Sequence, residues 1–98
     1  VTCFVLSSNA KRSLQEIKSY SLERFGERVT LAYLEKLHGK MRHLAENPAS
    51  GKSRDEIRPG YYSCFEGSHT IYYKIHADSI AIIDVLHQSM EPMRHLPE

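Results

Sequence analysis

The chain has 98 residues, 41% of them hydrophobic and 26% charged, with a net charge of +1; this is the make-up of one globular domain, 1–98, with material for a single core. No run of about 18 apolar residues exists to span a bilayer, and two cysteines, Cys3 and Cys64, without C-x-x-C or histidine-flanked spacing, give neither a disulfide framework nor a metal motif. Charge is unevenly placed: Val1 to Glu46 holds eight Lys/Arg against five Asp/Glu, and Pro59 to Glu98 two (Lys74 and Arg94) against five, so the second half lacks the basic face that phosphate-based nucleic-acid binding needs.

Thr2 to Leu6 is rich in β-formers and apolar on both sides, the pattern of a strand in the middle of a sheet. It is too short for an export signal and lacks the basic flank, so the cysteines are expected as buried thiols in a reducing cytosol. Ser7-Ser8-Asn9 supplies acceptors for the orphan N–H groups of a helix start, and Ala10, Leu14, Ile17 and Ser21 follow at helical spacing to about Phe25. Gly26 permits a left-handed closing residue, and Leu34, Leu37, Met41 and Leu44 then mark a second helix, so that two antiparallel helices are predicted.

Gly39 inside the second helix costs about 1 kcal/mol relative to alanine, which marks either close approach of a neighbouring backbone or simple tolerance. That helix ends before Asn47-Pro48, and Ala49 to Gly60 reads as an irregular charged connection holding Lys52, Arg54, Asp55, Glu56 and Arg58. Three β-rich runs follow, Tyr61 to Glu66, His69 to His76 and Ser79 to Leu86, joined by tight turns at Gly67-Ser68 and Ala77-Asp78. From His87 the chain is a tail with room for one helical turn.

The predicted class is α+β, in the order β-α-α-β-β-β, with an antiparallel sheet packed on a helical hairpin. Strict alternation puts Ile71, Tyr73 and Ile75 on one side of their strand, and Ala81, Ile83 and Val85 on one side of the last. The face away from the helices is then expected to display Tyr72, Lys74 and Tyr62.

The order of elements, with Arg58-Pro59-Gly60, Tyr72-Tyr73-Lys74-Ile75, the strand Ile80 to Leu86 and the ending His87-x-x-Met90-x-Pro92-x-Arg94-His95-Leu96, resembles the ParE branch of the ParE/RelE toxin superfamily. Leu6-Ser7, Ala10, Leu14 and Ile17 are similar to the start of that family, so the resemblance covers nearly the whole chain. It implies a sheet on a helical hairpin, as read above. It further implies a bacterial toxin that poisons DNA gyrase at its DNA-cleaving subunit, trapping the cut state, and that a cognate antitoxin holds inactive. Such action needs no nucleophile, metal or cofactor, because binding free energy that favours the cleaved state suffices. Disordered antitoxin segments fold as they bind, burying apolar surface and often adding to a sheet edge.

The RelE branch of the same fold cleaves messenger RNA on the ribosome by acid–base chemistry, and the fold alone does not separate the two. Here Glu66 or His87 could serve as base or acid, with Arg58 and Arg94 as cations, but the acidic second half is poor at holding RNA. A third possibility is a ParE-like module that binds antitoxin without toxicity. The partner-binding candidates are Arg58, Tyr62, Tyr72, Lys74, His87, Met90, Arg94 and His95. His87 equally suits capping a backbone carbonyl or packing on the sheet, and the segment with Met90, Arg94 and Leu96 suits either a docking peptide or a tail folded on its own sheet. His38, His43, His69, His76 and His95 are scattered without metal-site spacing, and no metal is assigned. Arg24, Arg28, Lys36 and Lys40 form like-charge pairs at helical spacing, a solvated face that could also aid approach to a gyrase–DNA complex.

Overall fold

The computed structural model describes residues 3–97, so the expected strand start at Thr2 lies outside the described residues. Phe4–Leu6 forms β1, Ile80–His87 forms β5, and the two run parallel, with Phe4 opposite Ile80 and Leu6 opposite Ile82. The sheet order is β1-β5-β4-β3-β2, where β2 is Lys52–Ser53, β3 Tyr61–Glu66 and β4 His69–Ile75. The sheet is therefore mixed and not wholly antiparallel, and β1 lies at its edge and not in its middle. Val5 is 59% exposed, whereas Phe4 and Leu6 pack on the core. Three apolar residues in a row look alike at an edge and at a centre. Cys3 is exposed and Cys64 half-buried, so the buried-thiol expectation fails for the first.

Ser7 caps the helix that follows, its hydroxyl accepting from the Ala10 N–H at 3.0 Å and donating to the Ile83 carbonyl at 2.6 Å. The helical stretch α1, Ser8–Glu46, is broken by Gly26 at φ 83°, ψ 177°. Thirty-nine residues of straight helix would run about 58 Å, yet the longest extent of the molecule is 38 Å, so α1 folds back at Gly26 into two arms, 8–25 and 27–46. Only glycine adopts that backbone without strain. Close approach does occur at a glycine, but at Gly51, where a Cβ would meet the Tyr73 hydroxyl; at Gly39 it would meet only an Arg42 nitrogen at 3.8 Å.

Ala10, Ile17, Leu37, Met41 and Leu44 from the arms pack on Ile71, Tyr73, Ile80, Ile82 and Val85 from the sheet. The alternation read for the last strand is overturned by a bulge: Tyr72 pairs with Asp84 but Tyr73 with Ile82, leaving Ile83 as the extra residue. Ile80 and Ile82 thus share the helix side with Val85, and Ile83 packs on the opposite face. That opposite face is covered as well. A short helix α2, Pro92–His95, leads to Leu96, which is buried with Tyr61, Tyr72 and Leu86. The predicted irregular connection contains β2, paired to β3 through Lys52 with Ser63 and Ser53 with Tyr62.

Candidate functional site

The tail settles several of the expected site residues. Tyr72 is only 5% exposed, beneath the tail, and Tyr62 lies on the other side of the sheet, half-buried and stacked on Tyr73 at 5.6 Å, so neither is the exposed tyrosine expected. Leu96 covers Tyr72, and the β3–β4 register sets Tyr62 opposite Tyr73 on the helix side; alternation along a single strand reveals neither. The Tyr61 hydroxyl donates to the Pro97 carbonyl at 2.9 Å. Arg58 donates to the Ile57 carbonyl at 2.8 Å and reaches Met93 at 3.5 Å, while its Nε is buried with no hydrogen-bond partner among the described residues. Lys74 lies 5.5 Å from the Tyr61 ring centre. Burial raises the pKa of both phenols, Tyr61 and Tyr72.

Arg58, Tyr72 and Lys74 are thus gathered under or beside the tail, on which Arg94 and His95 are exposed, His95 next to Asp84 and Leu86. Glu66 and His87 are elsewhere. Both pair with His69 at the far end of the sheet, whereas Tyr61, beside Arg58, pairs with Lys74. Five strand residues, about 17 Å, separate the two groups along the sheet, so Glu66 and His87 stand at the opposite end of β4 from the backbone next to Arg58, whose guanidinium turns to Met93.

At that far end the molecule is open. A groove of about 610 Å³ runs between the two arms of α1 and the ends of β4 and β5, walled by Ile17, Tyr20, Phe25, Val29, Tyr33, His69, His87 and Met90. Tyr20, Phe25 and Val29 are each half or more exposed. Polar groups on one wall are already paired with one another: the Tyr33 hydroxyl accepts from the Ser68 N–H at 3.2 Å and lies 2.6 Å from His69 Nδ1 and 3.1 Å from the Glu66 carbonyl. The His69 and His87 rings meet edge to face at 5.3 Å. Burial, aided by the charge of His87, lowers the His69 pKa. His87 itself is exposed, accepting from the Ser89 N–H at 3.1 Å, so it both caps the turn after β5 and lines the groove.

Of the expected contact residues, only His87 and Met90 belong to this groove. The rest of it was missed, although a signal was present: Tyr20, Leu22, Phe25, Val29 and Leu31 flank Gly26 off the core stripe and stay exposed. Arg24 and Arg28 are solvated, Arg24 stacking over Tyr20 at 4.8 Å. Among the described residues no group of three or more His, Cys, Asp or Glu is placed to hold a metal ion, and no helix is long and apolar enough to cross a membrane.

A mixed sheet with a helical hairpin on one face is the architecture of a class of small bacterial toxins. A solved chain described as the chromosomal ParDE toxin–antitoxin system of P. aeruginosa shares it at a TM-score of 0.75 and 14% identity, over 88% of this chain and 95% of that one. The RelBE2 toxin–antitoxin complex of Mycobacterium tuberculosis is similar at a TM-score of 0.57 and 22% identity, over 88% and 96%. In sequence, residues 4–92 match the model of the ParE toxin of type II toxin–antitoxin systems, parDE. Toxin ParE1 of Caulobacter vibrioides is 37% identical over 91 residues, 93% of this chain and 94% of the relative. Toxin ParE1 of M. tuberculosis is 37% identical over 94 residues, 95% and 96%. The chain belongs to the ParE family of type II toxins.

Proposed function

We propose that this toxin acts by binding DNA gyrase and holding its DNA-cut state, and that a cognate antitoxin neutralises it by laying an apolar segment into the groove between the arms of α1 and the sheet. Family membership supports the target class. The observation that carries a binding role over a catalytic one is the separation of Glu66 and His87 from Arg58 by about 17 Å of strand, with the cationic end of the sheet covered by the protein's own tail. A large apolar surface open to water around Phe25 supports the antitoxin reading, since burying it on a partner is favourable by about 25 cal/mol per Å².

Purified protein is mixed with DNA gyrase, ATP and plasmid, and the DNA is examined after detergent and protease treatment. Linear plasmid is the expected product. Intact plasmid, with messenger RNA cleaved in a ribosome-dependent assay, would transfer the chain to the nuclease reading; intact plasmid and intact RNA, with antitoxin still bound, would leave a non-toxic binding module.

A further inference from the structure

The apolar groove does not stop at Met90. Ser13, Glu16 and Met90 line it on one side and, on the other, line a second hollow of about 180 Å³ whose remaining walls are Asn9, Arg12, Asp84, Leu86 and His95. Asp84 is 5% exposed in a strand whose neighbours Ile82, Val85 and Leu86 are core residues. Its Oδ1 takes both available donors, the Ser13 hydroxyl at 2.5 Å and the Val85 N–H at 2.8 Å. Its Oδ2 has no hydrogen bond or ion pair among the described residues. Arg12, which also lines the hollow, directs its guanidinium to Asn9 Oδ1 at 2.8 Å.

Asp84 Oδ2 is not one of the buried polar atoms left without a partner, so it opens to the water of the hollow, where an ionised oxygen with no protein donor can take a cation. Burial raises the pKa of Asp84, and the nearby charges of His95 and Arg12 offset this only in part. An amide at this position would keep an oxygen for both donors, since Ser13 and Val85 use a single oxygen. Glu16 adds a second negative group at the mouth shared with the groove.

We propose that this hollow is a receptor for one basic side chain, arginine or lysine, from the antitoxin segment that occupies the groove. The aliphatic stem lies against Leu86 and Met90, and the cation pairs with Asp84, with Glu16 beside it. This rests on the groove reading above, and it deepens that reading by naming a specificity element: large apolar residues followed by a single positive charge.

The probe is n-butylguanidinium, titrated into the ¹⁵N-labelled protein at low salt, with n-butylurea as the neutral isostere. Saturable shifts of the Ser13 and Val85 amides are expected with the cation alone, at least tenfold weaker in Asp84→Asn, which retains an oxygen for both donors. In the unsubstituted protein, the carboxyl-carbon titration of Asp84 should move to lower pH when the cation is present, because the bound cation favours the ionised form. Equal shifts with the urea, shifts unchanged in Asp84→Asn, or a carboxyl titration indifferent to the cation would each overturn the proposal. Complex formation with the antitoxin separates the two claims. Asp84→Asn should weaken it at least tenfold. Loss on Phe25→Asp with no effect of Asp84→Asn would overturn the cation receptor and leave the groove standing; indifference to Phe25→Asp would instead remove the groove.

Discussion

Asp84 and His69 are ionisable groups held away from water, and their effects on stability have opposite sign. The folded state favours neutral His69, so that contribution is complete above the ordinary imidazole pKa of about 6.5 and is lost as pH falls through that value towards the lowered one. The groups facing its ring and the Tyr33 hydroxyl are His87 and Glu66. Denaturant unfolding should show stability dropping below pH 6.5, by no more than about 1.4 kcal/mol per pH unit for one proton, and a flatter profile in His69→Gln. For Asp84 the neutral acid is favoured, so its contribution is complete below about pH 3.9 and is lost as pH rises through the raised folded value. The isolated Asp84→Asn toxin should therefore be more stable than the parent at pH 7, with the gain vanishing in acid. Gly39 is the third residue with a defined outcome. Its missing Cβ has open room, so Gly39→Ala should stabilise by about 1 kcal/mol, read from the urea midpoint; no gain would mean that the α1 arm there is under constraint from elsewhere.

Among the elements, α1 breaks at Gly26, where a left-handed closing residue was expected, and the tail takes the second of its two readings, folded on its own sheet. The tail is an integral layer: Leu96 fills the space between Tyr61, Tyr72 and Leu86, and Tyr61 holds the Pro97 carbonyl. Leu96→Ala should cost about 2–5 kcal/mol, visible as a lowered melting temperature. Removal of everything after Leu86 should destabilise the domain further, so lost toxicity in such a truncation would not by itself locate a contact surface. Arg94→Ala is the cleaner test, because the side chain is exposed: weakened growth arrest with an unchanged melting curve is expected if the outer surface of the tail meets gyrase. At the turn, Gly26→Ala forces a side chain into a backbone reserved for glycine and should cost about 1–3 kcal/mol. Retained stability would require the arms to rejoin by another path.

For the whole molecule, one side of the sheet is covered by the hairpin and the other by the tail, leaving exposed apolar surface concentrated around Phe25 and Val29 at the hairpin tip. Much of this was legible in the residues. Local chemistry determined the caps, the glycine break and the strand limits: Ser7 has the acceptor a helix start needs, Gly26 the freedom a reversal needs, and the β-rich runs end within about a residue of β3, β4 and β5. The family, too, followed from the residues alone, through the last strand and the ending from His87 to Leu96. Tertiary structure decided what sequence spacing could not. The bulge at Ile83 reverses the faces of half a strand, the parallel pairing puts β1 at an edge, and Leu96 buries Tyr72 from a distance of twenty-four positions in the chain. Only packing joins an apolar groove to a buried carboxylate, because Ser13 and Asp84 meet across seventy-one residues of separation and no periodicity reaches that far.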